Sequence, residues 1–315
     1  MANRIKEKYM AGKRYFDYPM LFLVIFLICF GLVMIYSTSS YKSTVTYGNS
    51  YHWLLRQAVA IVLGAVAMVV CCKLDYHIIK SEKFGNGCYW ASIVLLVLVL
   101  IIGAAKKGAV RWISIAGFQF QPSEVSKILV VIYLANRLSA NAHKIRTFKD
   151  SIVIVLPTVP IIALIVTQNL STALVVCSMI GVMLFVVSPK MKELMLTAGG
   201  GIILLFVYLL TANSYRNERV QIWLHPESHK KGFQTMQALY AIGSGGIFGK
   251  GLGQSMQKMG FIPESHNDMI FSIICEELGL FGAVCLILVF VALIFRMLLI
   301  ALNTEDLFGS LIVIG

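Results

Sequence analysis

Residues 151–187 read SIVIVLPTVPIIALIVTQNLSTALVVCSMIGVMLFVV, without one charged side chain. A helix needs about 20 apolar residues to cross roughly 30 Å of hydrocarbon. The stretch therefore holds two crossings, Ser151–Thr167 and Leu170–Val187, folded back at the minimal polar turn Gln168–Asn169. The rest of the chain has the same character. Of 315 residues, 58% are hydrophobic and 13% charged, with a mean hydropathy of +0.80. Soluble domains carry about a quarter charged residues, and no soluble core hides this much apolar surface. The solvent for most of the chain is lipid, and the fold class is all-α, a polytopic transmembrane helix bundle.

Working outward, further spans fall at Pro19–Ser37, Trp53–Cys72, Tyr89–Ala105, a shorter Val125–Leu138, Leu194–Ala212 and Met269–Leu302. That makes eight, in a single transmembrane domain covering 1–315. A ninth begins at Leu307 just before the sequence stops at Gly315, so the chain is expected to lack its C-terminal part. The first span shows no small-residue cleavage pattern behind it and reads as an anchor rather than a signal peptide.

The balance is basic, 27 Lys+Arg against 15 Asp+Glu. In a membrane chain, cations in loops mark the cytoplasmic side. Arg4, Lys6, Lys8, Lys13 and Arg14 precede the first span. Lys73, Lys80 and Lys83 follow the second, Arg137, Lys144, Arg146 and Lys149 the fourth, and Lys190 and Lys192 the sixth. The alternate loops carry fewer, Lys42 and the trio Lys106, Lys107 and Arg111. The N-terminus is expected to be cytoplasmic and the long loop 213–267 extracytoplasmic. This topology explains the positive charge without nucleic acid. The seven cysteines lie mostly in or beside apolar runs with no CxxC pair, which points to packing rather than to disulfides or zinc.

On that topology the chemically versatile residues gather on the outer side. Gly108–Ile113 contains Arg111; Gln121, Pro122, Ser123 and Glu124 follow, then Lys127. The long loop adds Arg216, Arg219, a glycine run over 242–253 that includes Gly251 and Gly253, Lys258, and the segment Pro263, Glu264, Ser265, His266, Asn267, Asp268. Glu124 and Lys127, three apart on one helix face, form either a structural ion pair or a ligand-facing pair. Glu276 and Glu277 fall at the outer interface of the last full span, and Asp268 lies above them within reach of water. Cations on the same side, Arg111, Arg219 and Lys258, would hold Asp268 ionised and attract an anion. The glycine run lacks the order of a P-loop and follows no strand, so it serves sharp turns or close backbone approach. His266 reads as a hydrogen-bonding neighbour of the acid.

These blocks resemble the shape, elongation, division and sporulation (SEDS) family. The resemblance rests on Gly108–Ile113 with Gln121–Glu124 and Lys127, on 237–246 leading to 251–258, and on Pro263–Phe271 through Glu276–Gly279. The form Gly251-Leu-Gly-Gln-Ser-Met-Gln-Lys258 is similar to the division and sporulation branches (FtsW, SpoVE) rather than to the RodA type. Asn169 stands where many members carry an acid, and Asn267 where threonine is frequent.

The resemblance implies ten helices in a full-length member and lipid II as the substrate. It implies glycan-strand polymerisation in septal wall synthesis, with Asp268 as general base. It also implies a class B penicillin-binding protein as transpeptidase partner, among other division proteins, at the bacterial cytoplasmic membrane. Lys258, Arg111 and Arg219 are the candidates to neutralise the diphosphate, with Lys127 and Glu124 as further substrate contacts. A divalent cation, Mg or Mn, is expected to assist there on grounds of substrate chemistry. Gln121, Pro122, Ser123, Gly251, Gly253, Pro263, Glu264, Glu276 and Glu277 are expected to support the site. A lipid II flippase and a divisome scaffold remain alternatives.

Overall fold

The computed structural model describes residues 16–106, 109–115, 118–145, 147–188, 199, 221–229, 232–263 and 265–315. The expected span Leu194–Ala212, with Arg216, Arg219 and Glu264, lies outside those residues save for position 199. Among the described residues, six helices are long and apolar enough to cross a membrane. The chain divides into two compact units, Met1–Lys73 with Leu205–Arg296, and Leu74–Leu204 with Met297–Gly315.

In the first unit, α1 (Tyr18–Tyr47) starts where the Asp17 side chain accepts the Met20 N–H at 2.8 Å, with Pro19 in the first turn, and stops at Gly48 with φ 67°. Both ends follow the usual chemistry of helix termini. α2 (His52–Lys73) has no buried residue at all. Such a helix is stable only where lipid covers it. α8 (Phe233–Ser244) precedes the glycine run.

The long helix α9 (Ile270–Asn303) is broken at Gly279, whose φ of 69° and ψ of −171° lie far from helical values. A break frees backbone groups that lipid cannot satisfy. The glycine run supplies the missing partners. Lys250 N–H donates to Glu276 C=O and Gly251 N–H to Glu277 C=O, both at 2.9 Å; Leu280 N–H reaches Gly246 C=O at 2.9 Å and Phe281 N–H reaches Ile247 C=O at 3.0 Å. The two backbones touch, since a Cβ on Gly279 would lie 2.3 Å from Gly249 N and 2.4 Å from Ile247 O.

The second unit holds α3 (Glu82–Ile102), a small sheet, α4 (Pro122–Asn141), α5 (Phe148–Val155), α6 (Val159–Gln168), α7 (Leu170–Val187) and α10 (Leu307–Ile314). Its core joins Leu96, Tyr133, Leu134, Ile161, Ile165 and Phe308. The polar turn expected at 168–169 is present, and both residues work. Gln168 Nε2 donates to Leu96 C=O at 3.1 Å, and the Asn169 side chain accepts Ser171 N–H at 3.1 Å to cap α7. The span before it is interrupted by a 3₁₀ turn at Leu156–Thr158, beside Pro157 and Pro160.

The sheet was not anticipated. β1 (Ala104–Lys106) pairs antiparallel with β2 (Ala109–Ile115), and β2 with β3 (Phe118–Phe120), in the register Ile113 opposite Phe120 and Ile115 opposite Phe118. Val110, Trp112, Ile113, Ile115, Phe118 and Phe120 are residues that suit a pleated surface.

Candidate active site

Two adjacent carboxylates, Glu276 and Glu277, sit in the last turn before the Gly279 break with no solvent exposure. A buried charge without partners costs several kcal/mol, and each has a full set. Glu277 accepts Ser37 Oγ–H at 2.7 Å and Lys258 Nζ–H at 2.8 Å; Lys258 Nζ also donates to Ser37 Oγ at 3.0 Å. Lys258 is itself buried, at 5% exposure. Glu276 accepts from Lys250 Nζ at 2.7 Å, from Ser255 Oγ, and from the backbone N–H groups of Met256 at 3.2 Å and Gln257 at 3.4 Å. Lys250 Nζ also reaches Ser244 Oγ at 2.9 Å. The loop 250–258 is thus folded around the two carboxylates.

Lys258 was expected among the cations facing a substrate; the structure gives it an internal counter-ion. It still lines a cavity of about 520 Å³ with Tyr36, Ser37, Ser40, Tyr41 and Gly253. This is a mixed apolar and hydroxyl surface of the size that holds small ligands. Three residues here escaped the sequence reading. Ser37 belongs to a Ser-Thr-Ser-Ser cluster (37–40) in an otherwise apolar span, and small polar residues in a membrane helix commonly face protein. Lys250, a lone charge between Gly249 and Gly251, carried its own signal in the sequence, whereas Ser255 lies between Gln254 and Met256 with none.

Asp268 lies in an exposed turn two residues before α9. Its neighbours are anchored: Ser265 and His266 are buried. Ser265 Oγ donates to Thr38 C=O at 3.4 Å, and the His266 ring lies 4.9 Å from the Trp53 ring. Ile262 N–H reaches Gln257 C=O at 3.0 Å and Ile270 N–H reaches Asn267 C=O at 3.3 Å. Pro263 is exposed, its carbonyl accepting from Gln234 Nε2 at 3.4 Å. An exposed acid is held on a frame of these contacts.

In the second unit, Glu124 and Lys127 do form the i, i+3 pair, 2.9 Å apart, at the start of α4. Pro122 and Ser123 are buried, and Gln121 Nε2 donates to Ser123 Oγ at 3.0 Å. Arg111 lies on strand β2.

Comparison with known proteins identifies the family and the fold. A family model described as cell cycle protein, FtsW/RodA/SpoVE, matches residues 18–315. The chain is 35% identical over 310 residues to the probable peptidoglycan glycosyltransferase FtsW of Geobacter metallireducens, covering 95% of this chain and 81% of that protein. It is 34% identical over 309 residues to stage V sporulation protein E of Bacillus subtilis, covering 95% and 82%. Its fold is similar to a chain of a peptidoglycan synthase complex solved for its coordination of polymerization and crosslinking. That match has a TM-score of 0.75 and 27% identity, over 96% of this chain and 82% of the other. With the helical bundle, the ordered motifs and these matches in agreement, the chain belongs to the FtsW/RodA/SpoVE family.

Proposed function

We propose that this chain is a peptidoglycan glycosyltransferase of septal cell wall synthesis, extending glycan strands from lipid II at the outer face of the cytoplasmic membrane. Relatives named as such over 95% of the chain support the activity, and the ordered outer-side motifs support the site. Asp268 acts as general base. It takes the proton from the 4-hydroxyl of the acceptor sugar as that oxygen bonds to C1 of the donor. The bond from C1 to the lipid diphosphate breaks, and its electron pair leaves on the diphosphate. That leaving group needs no paired acid.

One observation carries the assignment of the base. A base needs an open lone pair. Among the described acids of 263–277, Glu276 and Glu277 are buried and occupied by Lys250, Ser255, Lys258 and Ser37, whereas Asp268 is exposed. Lys258 and the glutamates act by fixing the loop beside Asp268, and Arg111, Arg219, Lys127 and Glu124 remain candidates for substrate contact.

No group of three His, Cys, Asp or Glu side chains converges among the described residues. Mg or Mn would arrive on the substrate diphosphate, whose oxygens are hard ligands for such a cation. A class B penicillin-binding protein is the proposed partner, supported by the likeness to a chain from a synthase complex that couples polymerization with crosslinking.

The test is polymerisation of purified lipid II by Asp268→Ala and Asp268→Asn, assayed with the transpeptidase partner present. Both variants should fold and insert, and both should lose at least about a hundredfold in rate, the typical reach of a general base. Undiminished polymer from either one rejects Asp268 as the base.

A further inference from the structure

The second unit contains a cavity that the glycosyl transfer does not use. It measures about 550 Å³ and lies among Lys80, Glu82, Asn86, Arg137, Lys144 and Asp306. Unlike the cavity beside Lys258, it is lined largely by charged and amide groups. Lys80 is already committed, its Nζ 2.7 Å from Asp306 Oδ1. Arg137 and Lys144 are not. Neither has a carboxylate within ion-pair reach among the described residues. Among the described residues, Lys144 Nζ donates to the neutral Asn141 Oδ1 at 3.1 Å. The Arg137 guanidinium lies 5.7 Å from the centre of the Tyr133 ring, and its Nε is buried without a hydrogen-bond partner.

A structural arginine in a helix bundle normally ends on a carboxylate, because an unpaired buried donor is costly. Here the guanidinium is oriented by an aromatic face beside an open cavity, with a second cation on the same wall. With Lys80 and Asp306 neutralising each other, Arg137 and Lys144 outweigh the single exposed acid Glu82. A planar fork next to a point charge is the pair that suits a phosphate group.

We propose that this cavity binds a phosphate-bearing anion, through Arg137 and Lys144, where the start of α3, the end of α4 and the start of α10 line it. The loop charges place it on the cytoplasmic side. Basic pockets between membrane helices there take anionic lipid head groups, and cytosolic phosphate offers the same chemistry.

The experiment uses the intact chain in nanodiscs of phosphatidylcholine with or without phosphatidylglycerol, read by native mass spectrometry and thermal unfolding. Wild type should retain a bound anionic phospholipid that Arg137→Gln and Lys144→Gln both lose, while Lys73→Gln, a cation outside the cavity, keeps it. Exposed Glu82→Gln should tighten retention roughly fivefold by removing the opposing charge. If the source is soluble instead, millimolar inorganic phosphate will raise the melting temperature of wild type, Lys73→Gln and Glu82→Gln, but not that of Arg137→Gln or Lys144→Gln. Equal lipid retention by all variants, with no phosphate-dependent shift in any, overturns the proposal.

Discussion

Glu277 and Lys258 face each other at 2.8 Å with both side chains buried, and Ser37 bridges them. Removing one member strands the other. Lys258→Met and Glu277→Leu should each destabilise the protein by roughly 3–5 kcal/mol. The double substitution should cost clearly less than their sum, because it leaves no orphan charge. Thermal unfolding in detergent measures this cycle, and strict additivity would show that the pair is not coupled.

Gly279→Ala should be among the most damaging single changes. The new Cβ would meet the Gly249 and Ile247 backbones at 2.3 and 2.4 Å, and φ at 69° disfavours any side chain. We expect loss of more than about 3 kcal/mol or failure to accumulate in membranes. Gly31→Ala, with nothing within 4 Å, should fall within about 0.5 kcal/mol of wild type. Equal stability of the two variants would contradict the described contact.

Asp306 predicts a pH dependence. Burial pushes its carboxyl up, but the Lys80 hydrogen bond and charge, with the backbone N–H groups of Gly309 and Phe308, outweigh it and hold it below the usual value. A depressed folded pKa gives stability that is present above the unfolded value, about 3.9, and is lost as pH falls through the folded one. Melting curves between about pH 6 and 3 should therefore show a wild-type decline that Asp306→Asn lacks. His77 Nε2 lies 3.9 Å from Oδ2. Parallel curves for the two proteins would remove Asp306 from the titration.

The Glu124–Lys127 pair has one half-exposed partner, so its worth to folding is only about 0.2–1 kcal/mol. Glu124→Gln should leave the melting temperature nearly unchanged. A large fall in lipid II polymerisation by that stable variant would mark the pair as ligand-facing, and unchanged activity would mark it as structural.

The membrane helices were legible because lipid imposes a length and an absence of charge, and 151–187 satisfies both. The turn at Gln168–Asn169 was legible for the same reason. Asp268 could be picked out as an acid just ahead of a span, and it is exposed there. The break at Gly279 could not, because a glycine in an apolar helix looks ordinary until the run 245–251 is seen to supply its hydrogen bonds. The partnership of Ser37 with Glu277 was hidden by the long chain between them. Once that distance closes, Lys258 changes from an open cation into one already matched. The sheet 104–120 was obscured by reading its apolar residues as part of a loop.

The junction at Gly279 is closed by four bonds that run from main chain to main chain. The side chains of Ile247 and Phe248 take no part in those bonds, and Phe248 is 81% exposed. Residues such as Ile247, Phe248 and Leu252 can therefore diverge between lineages without disturbing the scaffold that presents the acid. The glycines themselves have no such latitude.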